Sequence, residues 1–485
     1  MCPELPAGSA RFAAIGVPTR DRPDSLRRCL VNHLESGRRH GRDTDFVIVD
    51  DSGGAAARAA NRELLRELGR QSGAAFFYAG PRERADFATA LVRQAGLPEG
   101  PVRFALLNEG GWPVATGASR NTLLMHAAGD LLLQVDDDTV CHLAPAPGAR
   151  PGLAFSPRPD PTEFWFPDGD GPVLPPEPLP GVDLLAAHEE LLGARVPGPQ
   201  GGPVLATAAG VAGDSGMGTA VYFLLLDGAS RARLVRSAEA YRAALSGRRI
   251  LRAVTQATVC RPGFCMALNL GLDNRTLLPP FLPVLRNQDG VFAALLRACF
   301  PDALFGFLPW TILHEPPVPR PSLADSMPES VTGVRTGQAL QVLIAALAPA
   351  LTGADNTQRL RQLGALLEGV GSAAASDFER QMNALLRAQM AGLGSRLEWL
   401  LREFGSEPAY WAVDVRGLLA ALREALPQSD WSAPTDLRSA FAAGQAPEVF
   451  RRLVRQFGEL LRVWPDLVEA ARDLRARGRR PAVPA

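Results

Sequence analysis

The sequence predicts an α/β fold with a mostly parallel sheet, followed by an all-α region. Two observations carry the prediction. Before about residue 320, short apolar runs alternate with amphipathic stretches and turn residues; after it, only helical spacing remains. Acidic residues also stand at the ends of the early apolar runs, where strands of an open parallel sheet deliver side chains to a ligand.

Phe12 to Val17, Phe46 to Val49, Phe104 to Leu107, Leu131 to Val135 and Ala220 to Leu226 read as strands. An amphipathic helix is expected from Ser25, and another from Ala118 to Ala128, stopped by Gly129. From about 143 to 205 the chain is rich in Pro and Gly: Ala144-Pro145-Ala146-Pro147, Pro172 to Pro180 and Pro197 to Pro203. Such a stretch should hold little regular structure and form an insertion over the sheet edge or mouth. The run Pro316-Pro317-Val318-Pro319-Arg320-Pro321 reads as a hinge that divides domain 1–320 from domain 321–485. In the second part Leu340 to Leu351, Met382 to Met390, Leu397 to Phe404 and the set Phe450, Leu453, Phe457, Leu460, Leu461 have helical spacing. No repeat of fixed period is present, so a bundle is expected. The first part is long enough to bury its own core, and a chain ending near Arg320 is expected to bind its ligand alone.

Composition excludes several classes. The 485 residues are 46% apolar and 21% charged, a globular composition. Net charge is zero, with 51 basic and 51 acidic residues and no long run of one sign, which argues against a nucleic-acid partner. Every basic residue is arginine, so a Walker-type phosphate loop, a Schiff-base lysine and a lysine general base are all excluded. Six scattered cysteines lack zinc or redox-dithiol spacing; Cys260 and Cys265 are near enough for a local disulfide, but small buried thiols are the simpler reading. Met1 to Ala10 has no leader pattern, and Leu340 to Leu351 is interrupted by Gln341 and Pro349. A cytoplasmic protein is expected.

Four segments carry the candidate chemistry. Ala13 to Pro23 is a strand ending in Pro18-Thr19-Arg20-Asp21-Arg22, and Phe46 to Gly54 a strand ending in Asp50-Asp51-Ser52-Gly53. A carboxylate such as Asp51 can accept from a base or ribose there, the simpler alternative being a cap for the next helix. The third segment runs from Arg120-Asn121 through Gly129-Asp130 to a strand that delivers Asp136-Asp137-Asp138. Three adjacent carboxylates repel unless a cation is near, and a hard divalent ion sharing them with a diphosphate removes that cost. The fourth holds Asn287-Gln288-Asp289 at a helix start and His314-Glu315-Pro316 downstream. Asp289 is a candidate general base, and His314 a candidate metal ligand suited to Mn²⁺, though a lone histidine is more often merely packed.

Taken in order, these segments resemble the GT-A fold of family 2 inverting glycosyltransferases, over about residues 11 to 320. The resemblance implies a Rossmann-like nucleotide-sugar domain and transfer from a nucleoside-diphosphate sugar, by family habit UDP-linked, to an acceptor hydroxyl. By it, Thr19, Arg20 and Asp51 line the base pocket, and Arg120, Asp136 and Asp137 complete the nucleotide-sugar contacts. Asp138 and His314 hold Mn²⁺ or Mg²⁺, and Asp289 deprotonates the acceptor. Asn287-Gln288-Asp289 departs from the commoner Glu-Asp or Gly-Asp pair, and the Pro-rich insertion is unusual.

Two other classes compete. An aspartyl-nucleophile phosphatase of the haloacid-dehalogenase type fits the strand before Asp136-Asp137-Asp138, but there the nucleophile strand lies near the N-terminus, and here Val49-Asp50-Asp51 precedes it. An inactive sugar-nucleotide-binding scaffold would leave the acids without a use. The helical region is expected to dock on the first domain or pair two chains as a homodimer. Tyr410-Trp411 and Trp431 could stack on an acceptor sugar, but helical aromatics are more often core.

Overall fold

The computed structural model describes residues 11–167, 181–196, 198, 201–327, 329–442 and 444–485. Residues 1–10, with Cys2 and the stretch read for a leader, and the run Pro172 to Pro180 lie outside the described residues, as do 197, 199 and 200.

The first half is a run of βαβ units: β1 (Phe12–Thr19), α1 (Pro23–Arg39), β2 (Asp45–Asp50), α2 (Ala55–Ser72), β3 (Phe76–Ala79), α3 (Pro81–Ala95), α4 (Glu99–Leu106), α5 (Thr116–His126) and β4 (Leu131–Val135). These four strands are parallel in the order β3-β2-β1-β4. Alternate strand residues face opposite layers, as a period of two requires. Ile15, Val17, Ile48, Leu131 and Leu133 meet α1 and α2, while Ala14, Val47, Val49 and Leu132 meet α3, α4 and α5.

The sheet continues with β5 (Thr139–Pro145), β6 (Leu153–Ser156), β7 (Glu163–Trp165), α6 (Leu184–Gly193), β8 (Arg195–Val196) and β9 (Gly202–Asp214). Then come α7 (Val221–Leu224), α8 (Gly228–Leu234), α9 (Ala238–Ser246), β10 (Arg249–Ala253), β11 (Ala257–Cys260), β12 (Asn269–Asp273), α10 (Gln288–Cys299) and β13 (Leu304–His314). Strand β12 lies antiparallel between β4 and β9, and β13 runs parallel to β9. The sheet is therefore mixed: parallel in its N-terminal half and largely antiparallel beyond β4.

Three expectations are corrected. Phe104 to Leu107 falls at the end of helix α4, and Ala220 to Leu226 forms the short helix α7. Both are brief apolar runs whose period cannot separate strand from buried helix. The segment 143–205, expected to hold little regular structure, supplies the end of β5, then β6, β7, α6 and β8, and the start of β9. Strand β9 is rich in Ala and Gly because it is packed tightly: a Cβ on Gly210 would stand 2.6 Å from the Ala253 methyl and 2.7 Å from the Arg252 carbonyl oxygen.

After the proline run come α11 (Glu329–Thr332), α12 (Thr336–Leu347), α13 (Asn356–Ser372), α14 (Ala375–Glu403), α15 (Ala409–Gln428), α16 (Thr435–Ala440) and α17 (Ala446–Ala476). Strands do not vanish here, as β14 (Val483–Pro484) pairs antiparallel with β3. One hydrophobic cluster runs from Ala14 through Phe281 and Leu340 to Trp464, so the change of composition at 320 is not a break in the core. The Trp464 indole donates to the Leu278 carbonyl at 2.7 Å, and Arg475 donates to the Ala128 carbonyl at 2.6 Å and pairs with Asp130. Trp411 and Trp431 are buried, as the core reading of these aromatics requires. Cys260 and Cys265 are buried free thiols. No described helix is long and apolar enough to cross a membrane.

Candidate functional site

In the order β3-β2-β1-β4 the connection reverses between β1 and β4, and ligands of open α/β sheets bind beyond the carboxyl ends at such a switch. The acids of the third segment are there. Asp136, Asp137 and Asp138 form the turn from β4 to β5, closed by Thr139, whose backbone N–H and hydroxyl donate to the Asp136 carbonyl at 3.1 and 2.7 Å. The turn fans the three carboxylates toward different elements.

Asp137 turns to β1 and accepts from the Thr19 hydroxyl at 2.7 Å. Burial, and then the Asp138 charge, push its pKa up to about 7. Asp136 turns to α5, where the Arg120 guanidinium donates to it at 2.5 Å, to Gln134 at 3.0 Å and to the Ala267 carbonyl at 2.8 Å. Arg120 is buried, whereas the Asp136 side chain keeps 27% of its surface open, as on a cleft floor. Ala267 also donates its own N–H to Asp289 at 3.2 Å, which brings Asp289 next to Arg120 and Asp136. Asp289 also accepts from the Gly290 N–H at 3.0 Å. Burial raises the Asp289 pKa above the usual carboxylate range, against the pull of Arg120.

Asp138 turns to β13. Pairing of β5 with β13 sets His314 opposite Thr139, and the Glu315 N–H donates to the Asp138 carbonyl at 2.9 Å. His314 Nε2 then lies 3.5 Å from Asp138 Oδ1. Its Nδ1–H donates to the Asp214 carbonyl at 2.7 Å, which fixes the tautomer with Nε2 toward the carboxylate. Burial opposes protonation of His314, but the hydrogen bond and charge of Asp138 outweigh it and raise the imidazole pKa. Burial likewise opposes ionisation of Asp138, and is outweighed by His314, Arg22 and Arg320, which hold its pKa low.

The structure thus brings together Thr19, Arg120, Asp136, Asp137, Asp138, Asp289 and His314. Arg20 and Asp51 stand beside them without a direct bond to the three carboxylates among the described residues. The Asp51 N–H donates to the Thr19 carbonyl at 2.9 Å, and its carboxylate accepts from buried Arg84 at 2.7 Å. Arg20 donates to the Pro113 carbonyl at 2.7 Å. Asp50 is structural: it is fully buried and accepts from the Ser52 N–H, Asn61 and Tyr78.

Sequence reasoning assigned no role to Arg22, Asp214 or Arg320. Arg22 lies 3.3 Å from both Asp137 and Asp138, and Arg320 lies 3.6 Å from Asp138 and 3.5 Å from Asp214. Asp214 ends β9 and is also gripped by Arg248 at 2.7 Å. A cavity of about 550 Å³ opens beside them, between Arg20 to Ser25 and the proline run 316–321.

Asp138 and His314 also fit a divalent cation. A carboxylate and a neutral imidazole whose other nitrogen is held by a carbonyl are a common donor pair, and a diphosphate and water can complete the sphere. No family model matches this chain, and no match is found among curated proteins.

Proposed function

We propose that the chain is an inverting glycosyltransferase of the GT-A type that moves a sugar from a nucleoside-diphosphate donor, by family habit UDP-linked, to an acceptor hydroxyl. The observation that carries this reading is the cluster at the β1/β4 switch point, where Arg120 holds Asp136 and the Ala267 carbonyl, the Ala267 N–H holds Asp289, and Asp138 faces His314.

Asp289 is the base. Its raised pKa makes it a better proton acceptor, and its two backbone hydrogen bonds fix the carboxylate in place. The acceptor oxygen forms its bond to the anomeric carbon as the bond to the diphosphate oxygen breaks, and the hydroxyl proton passes to Asp289. Arg120 locks Asp136 toward the sugar or ribose. Thr19, Arg20 and Asp51 bind the base and ribose side. A divalent cation held by Asp138 and His314 would neutralise charge on the leaving diphosphate.

The test is release of nucleoside diphosphate from a panel of nucleotide sugars with Mn²⁺ or Mg²⁺. Release from one donor is expected. Asp289→Asn should bind that donor as the wild type does and lose on the order of a hundredfold to ten-thousandfold in transfer rate. Transfer at the wild-type rate would place the base elsewhere, with Glu315 the next acid to test.

A further inference from the structure

Four described non-glycine residues have left-handed backbone: Asp21 (φ 53°), Leu285 (φ 68°), Asn287 (φ 67°) and Ser406 (φ 63°). Three of the four adjoin an arginine. Asp21 precedes Arg22, and Leu285 and Asn287 flank Arg286. Such backbone costs about 1–3 kcal/mol per residue and gathers where function needs a side chain aimed.

Arg22 and Arg320 already approach Asp138. Arg286 stands within charge–charge range of Arg320, Arg335, Arg22 and Asp138. Neither Arg286 nor Arg335 has a carboxylate within ion-pair distance among the described residues, and both are exposed. Arg335 comes from the helical region and immediately precedes α12. That helix is seated on the Arg286 turn: a Cβ on Gly337 would stand 2.8 Å from the Arg286 carbonyl oxygen. Arg22 and Arg320 therefore stand at Asp138, Arg286 is next to them, and the Arg335 guanidinium reaches the loop after Asp214, 3.9 Å from a Cβ placed on Gly218; Asp214 itself is already paired with Arg248. In a chain of zero net charge this is a local positive excess, and it borders the cavity lined by Arg22, Arg320 and the first turn of α1. Planar guanidinium forks match phosphate oxygens.

We propose that Arg22, Arg286, Arg320 and Arg335 form a clamp for the donor diphosphate, which binds phosphate anions without a divalent cation and draws one arm from the helical region. That the anion is a donor diphosphate rests on the transferase reading above.

The experiment is calorimetric titration of the full chain with inorganic pyrophosphate in EDTA. The wild type should bind, with affinity falling as salt rises. Arg286→Gln and Arg335→Gln leave the core untouched, because both side chains are exposed. Each should weaken binding on the order of tenfold, and the double variant more. No binding by the wild type in EDTA, or a double variant that binds as the wild type does, would overturn the clamp. The two readings fail separately. Pyrophosphate binding lost in the variants while no nucleotide sugar is turned over keeps the anion clamp and removes the transferase. Turnover of a nucleotide sugar with unchanged pyrophosphate affinity in the variants keeps the transferase and removes the clamp.

Discussion

Asp138 is contested by two kinds of cation. One of its oxygens faces His314 Nε2, and the other lies within 3.3 Å of Arg22 and 3.6 Å of Arg320. Asp138→Ala should therefore abolish the gain in nucleoside diphosphate affinity that Mn²⁺ brings. Binding in EDTA should persist or tighten, because Arg22 and Arg320 lose a competing carboxylate. Paired titrations with and without Mn²⁺ check this, and a gain from Mn²⁺ equal to that of the wild type would remove Asp138 from the metal site. The acids at this site were legible in sequence because three carboxylates at the end of an apolar run are costly without a partner. The arginines were not. Where arginine supplies every long cation, a functional Arg320 inside a proline run reads no differently from a solvated one.

Helices α13 and α17 cross so closely that glycine is required on both sides. A Cβ on Gly364 would lie 2.7 Å from the Gly458 carbonyl oxygen, whereas one on Gly369, in the same helix, would meet nothing within 4 Å. The same substitution should then have opposite signs one and a half turns apart. Gly369→Ala should stabilise by about 0.5–1 kcal/mol through helix propensity. Gly364→Ala should destabilise by about 1–3 kcal/mol by forcing the helices apart. Urea unfolding midpoints decide it, and equal shifts would deny the close crossing. The helices themselves were legible from spacing, as were β1, β2 and β4, whose apolar runs end in polar turns. Strand β9 was not, since Ala and Gly carry little strand preference and were chosen by the crowding around Gly202 and Gly210. His188 on α6 escaped notice for a similar reason. Its partners Thr207 at 2.7 Å and Asn269 at 2.8 Å come from two strands distant in sequence.

For the whole molecule, the shared core points away from an independent first domain. A chain ending at Arg320 would uncover Leu278, where Trp464 now packs, and the side of α10 on which α12 and α13 lie, and would lose Arg335. It should aggregate on size-exclusion chromatography; a soluble monomer that binds nucleoside diphosphate with metal would show that the first part stands alone. Acid should also weaken the fold. Burial lowers the pKa of His188 to about 4 and, with the charges of Arg480 and Arg475, that of His126 to about 3. Both folded values lie below the ordinary imidazole value, so the unfolded chain takes up protons first. Stability is full above about pH 6.5 and falls toward pH 4, by up to about 1.4 kcal/mol per pH unit for each histidine. Urea unfolding at pH 7 and pH 5 should show the loss, and His126→Leu should flatten the slope; a midpoint independent of pH would contradict both shifts. The pairing of β4 with β12 also sets a schedule for synthesis. Until β12 emerges, β4 is a bare apolar edge. About 130 residues separate the two strands, so at 5–20 residues per second the growing chain carries that open edge for roughly 7 to 27 seconds. The half of the sheet that holds Thr19 and Asp137 is thus made early, and its neighbour arrives only after a long interval in which another strand could take its place.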